Sequence, residues 1–336
     1  MNQHPVPATA RLRSGVALCV YNGARYLQEQ LDSITAQTER PVRMAIVDDV
    51  SSDESWTLVE QWAATAPFEV RLHRNATNLG VVRNFERAIE LLGDDIDIVF
   101  LADQDDRWYP GKLATFVDLF TADPAMGLLH SDADLIDADS QALGRKLFET
   151  LLVTDDERAK VATGRAWEVY AKRNLVTGAA CAFRRSLMVD ALPFSPLWVH
   201  DEWLAFIASL SSGVTLLDRP TMAYRLHQAN VVGVPIPTFG WRLSTTWHAL
   251  TRPTAARQLV RGERLREITL HARRLGAGPE ACDYLTAAAA HADFRGALPF
   301  NPFRRWPRVL SEWRAGHYHL WSNGDISMLH DLVVTR

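Results

Sequence analysis

Three carboxylates crowd into one four-residue stretch, Asp103-Gln104-Asp105-Asp106, directly after the apolar run 96–102. That run has the length and the β-branched content of a buried strand. Carboxylates this close repel one another unless a cation or a shared proton compensates. In open parallel sheets, ligands bind at the carboxyl ends of the strands. The stretch therefore predicts a metal site for a phosphorylated ligand, and the alternative is a solvated acidic turn before a helix from Pro110.

Strand patterns and helical patterns alternate over the first hundred residues. Four short apolar runs have the composition of strands, at residues 16–20, 42–47, 70–73 and 96–102. The first three are each followed by a polar turn and then by apolar residues at helical spacing. Such βαβ units predict a largely parallel sheet, and right-handed crossovers place the strand-to-helix loops on one edge. We therefore expect the loops that hold Asn22, Asp49 and Asp103 to lie side by side.

Three further local patterns concern helix starts and one more strand. Ser51-x-x-Glu54 predicts a capping box for the second helix. Asp106 is expected to help cap the helix that follows the acidic stretch. Residues 126–130 have the composition of another strand.

Glycine-rich phosphate loops are absent from the sequence. The first loop, Val20-Tyr21-Asn22-Gly23-Ala24-Arg25, has no G-x-G-x-x-G, and no G-x-x-x-x-G-K-[ST] occurs either. A dinucleotide-binding domain is therefore disfavoured, and a metal would replace the glycine-rich cradle. Asp49 can accept hydrogen bonds from a nucleobase or ribose, although a strand-end Asp is also a favoured helix N-cap.

Four segments stand in the order and spacing of a known family: CVYNGARYLQEQLDSITAQT, IVDDVSSDES, NLGVVRNFERAI and LADQDDRWYPGKL. Over about residues 14–235 the chain resembles the inverting glycosyltransferases of family 2, and most of all the rhamnosyltransferase-like branch. The resemblance implies the GT-A fold, which is an α/β nucleotide-sugar-binding domain around a mixed sheet flanked by helices. A flexible N-terminus over residues 1–13 and a mostly helical region over 236–336 would flank this domain.

The resemblance also implies roles for residues on the donor side. Asp103-Gln104-Asp105 matches the family's D-x-D motif, which would bind Mg²⁺ or Mn²⁺ together with the donor pyrophosphate. Asp49 matches the Asp that contacts the base. Further candidates for the donor pocket are Val20, Asn22, Asn78, Arg83 and Asn84, of which the last three could instead simply start a helix. Relatives commonly carry Gly or Asn where this chain has Val50, so the local geometry of a tight turn is in question there.

The second half supplies the acceptor side. The segment 175–183 is apolar but is broken by Thr177-Gly178, where a glycine lets the backbone approach a ligand closely. His200-Asp201-Glu202-Trp203 falls where relatives have the catalytic base, which maps onto Asp201, with Glu202 as the lesser candidate. The alternative for both acids is a favourable charge at a helix N-terminus.

Two residues near the end of the resemblance are also candidates. Arg225 would pair with phosphate, and His227 would approach the metal or the diphosphate. A purely structural histidine is the alternative for His227.

Composition limits the class of protein. The 336 residues carry a net charge of −4, and three widely spaced cysteines indicate neither a disulfide framework nor a zinc site. Together with the lack of a secretory leader or an apolar span, this predicts a cytoplasmic protein. Residues 240–336 hold 14 Arg against 8 acids, interspersed with tryptophans. This region either packs internally or meets an anionic membrane at 300–306, whereas nucleic-acid binding lacks a recognisable module.

The sequence therefore predicts a metal-dependent inverting glycosyltransferase of bacterial surface polysaccharide synthesis. The donor would be a dTDP-, UDP- or GDP-linked sugar, with L-rhamnose suggested by the resemblance, and the acceptor a glycan or lipid-linked glycan. The alternatives are a non-catalytic sugar-nucleotide or glycan-binding module of the same fold and, with less support, a nucleotidyltransferase.

Overall fold

The computed structural model describes residues 11–227 and 255–333. Most of the predicted N-terminal segment, the predicted domain boundary at 235, and Trp241 and Trp247 lie outside the described residues. The described chain forms two compact units. The first comprises residues 11–146, 176–194 and 215–226, and the second comprises 147–175, 195–214, 227 and 255–333.

The strands form one mixed sheet. They are β1 (Ser14–Val20), β2 (Arg43–Asp48), β3 (Glu69–Arg74), β4 (Ile98–Ala102), β5 (Arg107–Trp108), β6 (Leu128–Ile136), β7 (Ala142–Lys146), β8 (Cys181–Arg184) and β9 (Val214–Arg225). Within the described chain their order is β3-β2-β1-β4-β8-β6-β9-β5, with β7 beside β6. The four strands predicted from sequence pair in parallel, whereas β8 runs antiparallel to both β4 and β6.

The helices follow in chain order. They are α1 (Ala24–Thr35), α2 (Ser55–Ala63), α3 (Val81–Leu92), α4 (Lys112–Ala122), α5 (Leu147–Thr150), α6 (Asp155–Ala162), α7 (Ala166–Tyr170), α8 (Met188–Ala191), α9 (His200–Ser211), α10 (Ala255–Arg274), α11 (Pro279–Gly296), α12 (Pro302–Arg314), α13 (His317–Trp321) and α14 (Asp325–Val333). Helices α1 to α4 and α8 belong to the first unit, and the others belong to the second.

The core of the first unit lies on the sheet. Strands β1, β2 and β4 are buried along their whole length, so they are continuously apolar in the way expected of strands covered on both faces. Helix α3 packs on β1 and β2 through a face that includes Phe85, Ala88 and Ile89. Burial of both strand faces explains why the sequence predicted these strands within a residue or two.

Two predicted elements were wrong in detail. Helix α2 begins at Ser55 rather than after Ser51, because Ser51 Oγ already accepts the Asn22 N–H while Asp53 Oδ1 accepts the Ser55 N–H at 3.0 Å. The predicted capping box is therefore absent. The strand expected over 126–130 is β6, which begins at Leu128 and continues to Ile136.

The second unit is helical. Helix α10 lies in the region that was predicted to be mostly helical, and it buries Leu265, Ile268 and Ala272. Helices α12 to α14 enclose a smaller apolar cluster of Leu298, Val309, Tyr318 and Met328. None of the helices in the described chain is sufficiently long and apolar to span a membrane.

Candidate active site

The loops that follow β1, β2 and β4 meet at one edge of the sheet, as predicted. Parallel register pairs Val20 with Asp48, and Leu18 with Ala102. The Asp49 N–H then donates to Val20 O at 2.8 Å, which holds the first two loops together. The sheet therefore gathers these polar loops because their strands end at the same level.

Asp49, in the loop after β2, holds the loop that follows β3. Its buried carboxylate accepts hydrogen bonds from Asn75 Nδ2 (2.8 Å), Leu79 N (2.8 Å) and Gly80 N (2.9 Å). Asn78 Nδ2 also donates to Asp49 O at 3.1 Å. The side chain thus shapes the loop at residues 75–80, and its contact with a nucleobase stays a prediction.

Asn22 ties the β1 loop to the β2 loop. Its Oδ1 accepts from Ser52 N at 2.8 Å and from Ser52 Oγ at 3.1 Å, and its own N–H donates to Ser51 Oγ at 2.9 Å. Its φ of 51° lies in the left-handed region, which Asn tolerates better than most residues. Val20, two residues earlier, has a buried side chain, and its backbone carbonyl accepts the Asp49 N–H of the neighbouring loop.

Gln104, the middle residue of the matched D-x-D motif, holds the first loop, and its predicted part in donor binding stays a prediction. Its side-chain amide accepts from Tyr21 N at 2.8 Å and donates to Tyr21 O at 3.0 Å. A Cβ at position 23 would lie 2.2 Å from Gln104 Oε1, so Gly23 is required for this approach. The only sequence signal was a glycine in the first loop, which does not reveal its partner.

The acidic stretch is unequal in its burial. Asp103 and Asp105 are half-buried, whereas Asp106 is fully buried and accepts the Arg225 N–H on Oδ1 at 2.9 Å. Burial raises the pKa of Asp106 well above its ordinary value, with the charges of Asp105 and Asp103 adding to the effect. Helix α4 begins at Lys112 after Gly111, so the expectation that Asp106 caps it was wrong.

The Arg225 side chain lies beneath the acidic stretch with no exposed surface. Its Nε donates to Asp105 O at 2.6 Å, its Nη1 donates to Ser140 Oγ at 2.7 Å, and its Nη2 is bound by Glu29. These contacts fix the backbone of the acidic stretch. Its predicted pairing with a phosphate of the donor stays a prediction.

Lys112 joins the acidic stretch to the turn at Gly178. Its buried ammonium lies 4.0 Å from the Trp108 ring centroid and donates to Ala179 O. Burial lowers the pKa of Lys112 to about 7, and the nearby Asp106 charge opposes the shift. Gly178 is buried at the start of a short 3₁₀ turn, Gly178–Ala180, and Thr177 before it is half-buried.

The other predicted donor residues differ in exposure. Asn84 is buried and donates to Val47 O at 3.1 Å, which makes it structural, whereas the Arg83 side chain is half exposed and pairs with Glu86. His227 is half-buried, two residues after the end of β9. Among residues 11–227 and 255–333, no group of three or more His, Cys, Asp or Glu side chains is arranged to hold a metal.

Asp201 lies in the first turn of α9, in the second unit, and is 9% exposed. Its Oδ1 accepts the Glu202 N–H at 2.7 Å, and Glu202 itself forms an ion pair with Arg264. Burial raises the pKa of Glu202, and the Arg264 charge opposes this shift. The neighbouring His200 is kept neutral, because burial lowers its pKa to about 3.

Helix α10 holds the segment around Asp201 through one face. The Arg264 guanidinium lies 3.8 Å from the Trp198 ring centroid, Glu267 Oε2 accepts from Trp198 Nε1 at 2.9 Å, and His271 lies 4.8 Å from the Trp203 ring. The spacing i, i+3, i+7 aligns these three α10 residues on one side. The sequence analysis expected a helical region here but missed this contact, because apolar periodicity does not identify the partners of polar residues.

Comparisons with known proteins agree with this geometry. Residues 15–131 match the model of glycosyl transferase family 2. An uncharacterised glycosyltransferase of Nostoc is 27% identical over 224 residues, which are 65% of this chain and 66% of that protein. The dTDP-rhamnosyl transferase RfbG of Shigella flexneri is 25% identical over 228 residues, which are 65% of this chain and 74% of RfbG. The alignments thus leave a quarter to a third of each relative unmatched.

A solved structure shares the fold. A mannosyltransferase of Pyrobaculum calidifontis, solved with GDP-Man and Mn²⁺, superposes with a TM-score of 0.50 at 20% identity, covering 97% of this chain and 86% of that one. The mixed sheet with its flanking helices is therefore a GT-A domain, as predicted. The sequence matches agree with this fold: residues 15–131 are similar to glycosyl transferase family 2, and the chain is similar to a dTDP-rhamnosyl transferase.

Val50, in the loop next to Asp49, carries backbone strain that yields a stability prediction. Its φ is 67°, and the left-handed region costs an ordinary L-residue about 1–2 kcal/mol. Val50→Asn should therefore stabilise the protein by about 1 kcal/mol, measured as a higher urea midpoint. Val81→Asn is the matched control, because Val81 is similarly exposed (39% against 37%) but lies in helix α3. An equal gain in both variants would mean that strain at Val50 is not the cause.

The contact between α10 and Glu202 yields a second prediction. Arg264→Met removes the charge opposite a carboxylate that is mostly buried, and should cost about 2–4 kcal/mol of unfolding free energy. Arg266→Met, two residues along the same helix, removes an exposed pair with Asp293 and should cost below about 1 kcal/mol. Urea unfolding of both variants is the measurement, and similar losses would show that burial does not distinguish the two pairs.

Proposed function

We propose that the protein transfers a sugar, with inversion, from a nucleotide diphosphate donor to a hydroxyl group of a glycan or lipid-linked glycan. The observation that carries the proposal is the meeting of the Asn22, Asp49 and Asp103–Asp105 loops at one edge of a GT-A sheet. Those loops offer acceptors for a base or ribose beside carboxylates suited to a cation. The reaction belongs to the cytoplasm and to the synthesis of bacterial surface polysaccharide.

The donor is proposed to lie across these loops. Asp49 and Asn22 would face the nucleoside, with Val20 closing the inner wall. Asn78 and Arg83 lie next to the same loops and would line the outer side, while Thr177 and Gly178 would face the sugar. L-rhamnose on dTDP is our first choice because a relative is a dTDP-rhamnosyl transferase. UDP- and GDP-linked hexoses are the other donors to test.

Asp103 and Asp105 fit a Mg²⁺ or Mn²⁺ ion that is completed by the donor. Mg²⁺ typically takes one or two carboxylates and fills its other positions with phosphate oxygens and water, so three protein ligands are not required. The surroundings are strongly negative: burial, and then the charges of Asp103 and Asp49, raise the pKa of the buried Cys19 thiol. Asp106 Oδ2 is buried and finds no hydrogen-bond partner among the described residues.

The bound ion would supply charge neutralisation to the departing diphosphate. His227, the third predicted ligand, stays a candidate for the same ion. The Gln104 and Arg225 contacts would support such an ion indirectly, because they fix the backbone on both sides of Asp105.

Asp201 is proposed as the general base. It would accept the proton of the acceptor hydroxyl as that oxygen attacks the anomeric carbon, a role worth roughly 10²- to 10⁴-fold in rate. Direct displacement inverts the anomeric centre and needs no covalent intermediate. Glu202 is the weaker candidate because its carboxylate is bound by Arg264.

Asp201→Asn tests the base directly. Transfer should fall by at least about 10²-fold, because the amide cannot accept the proton, while the Kd of the nucleotide sugar should stay within a factor of a few. Glu202→Gln is the matched control, next in sequence, and should keep most of its activity. Rates come from radiolabelled sugar transfer and Kd values from calorimetry. Near-normal transfer by Asp201→Asn would remove this residue from the role.

The metal assignment has its own test. Asp105→Ala should lower kcat/KM for the donor by about 10²-fold, since the leaving group loses charge stabilisation. It should also abolish the Mn²⁺-dependent thermal stabilisation by nucleoside diphosphate, which is a readout independent of turnover. Asp94→Ala, at an exposed carboxylate of the same unit, is the control. Full wild-type activity in excess chelator would rule the ion out.

A further inference from the structure

Helix α12 has a second apolar face that the core of its unit does not use. Arg305 and Val309 point inward and are buried, and Val309 belongs to the cluster of Leu298, Tyr318 and Met328. On another side, a groove of about 430 Å³ is lined by Phe303, Trp306, Pro307, Leu310 and Arg314. The spacing i, i+3, i+4, i+7, i+11 makes these five residues one continuous stripe, which we term the α12 face.

The α12 face displays large aromatic side chains to solvent. Phe303 is 85% exposed, Phe300 just before the helix is 61% exposed, and Trp306 is 50% exposed. Trp306 Nε1 donates to Leu332 O at 3.0 Å, which brings the end of α14 and its exposed Val333 beside the groove. Contiguous exposed aromatics of this kind mark an interaction site rather than ordinary surface.

The charges around the α12 face are positive. Arg304 and Arg308 are exposed on the same helix, and Arg314 lines the groove itself. Within the described part of the chain, no ion pair engages any of these three arginines. The acid of this helix, Glu312, is instead bound by His291 and His317 at 2.8 and 2.9 Å. The apolar stripe is therefore bordered by cations without compensating acids.

We propose that the α12 face docks on an anionic membrane surface. Phe303 and Trp306 would enter the boundary between headgroups and acyl chains, and the arginines would meet the lipid phosphates, as in helices that lie in the plane of a bilayer. The charge pattern argues against a second copy of this chain as the occupant, because a symmetric contact would bring the same arginines together. Docking of this kind goes beyond the transfer reaction and does not depend on it.

Sedimentation of the full-length protein with vesicles tests the proposal. Vesicles of phosphatidylglycerol and phosphatidylcholine should bind the protein at low salt, and binding should weaken as salt screens the arginines. Phosphatidylcholine alone should bind at least about tenfold more weakly, since each basic residue near the surface contributes to attraction. No substrate is present, so the outcome is independent of catalysis.

Two variants and two matched controls distinguish binding through this surface from non-specific adsorption to vesicles. Phe303→Ser should weaken vesicle binding about tenfold, because one buried aromatic ring is lost, whereas Val189→Ser, at a site 86% exposed in the first unit, should not. Arg304→Glu with Arg308→Glu should abolish the preference for phosphatidylglycerol, whereas Arg273→Glu, exposed on α10, should leave it nearly unchanged. All five substitutions are on the surface, and circular dichroism verifies folding of the four variants.

Three outcomes would overturn the proposal. Equal vesicle binding by wild type and Phe303→Ser would show that Phe303 is not an anchor. Equal binding to neutral and anionic vesicles would show that the arginines do not recognise lipid charge. A dimer seen by ultracentrifugation without lipid, and lost in Phe303→Ser, would assign the face to a second copy of the chain. Tenfold effects confined to the α12 face variants would support membrane docking.

Discussion

Mutual repulsion between the carboxylates of Asp103, Asp105 and Asp106 is the constraint around which the first unit is arranged. Burial, and then the charges of Asp105 and Asp103, raise the pKa of Asp106 well above its ordinary value. Arg225 lies at the end of β9. Its side-chain Nε donates to Asp105 O, and its backbone N–H donates to the Asp106 carboxylate. The acidic stretch therefore keeps a defined backbone while two carboxylates stay partly open to solvent.

The loops that neighbour the acidic stretch are also held by hydrogen bonds. Gln104 Oε1, in the acidic stretch, accepts the N–H of Tyr21 in the β1 loop. Asn22 Oδ1, in that same loop, accepts the N–H of Ser52 in the β2 loop, and Asp49 Oδ2 accepts the N–H of Gly80 in the loop after β3. A chain of side-chain-to-backbone hydrogen bonds thus runs along the whole sheet edge. Val50 shows the cost of that order, since it is held at a positive φ that a β-branched residue rarely adopts. Preorganised polar groups of this kind suit a site that must stabilise developing charge.

The helices of the second unit have two distinct tasks. Helix α10 holds Trp198, Glu202 and Trp203 around the Asp201 segment through aromatic and ionic contacts. Helix α12 instead closes a small core with one side and leaves an aromatic, basic stripe on the other. Of the two alternatives that the arginine-rich composition left open, internal packing is seen in α10, whereas membrane contact by the exposed surface of α12 stays a proposal.

The sequence by itself determined the parallel strands β1 to β4, the common edge of their loops and the resemblance to glycosyltransferases, because apolar periodicity and short motifs are local. It also determined that Asp49 and Asp103–Asp106 end buried strands. Only the tertiary structure decided that Asp106 is buried under Arg225 rather than capping α4, since their contact joins positions 119 residues apart in sequence. It likewise decided that Gln104 pairs with Tyr21 and that Arg264 holds Glu202. These are polar contacts across long sequence separations, and their partners leave no periodic trace in either segment.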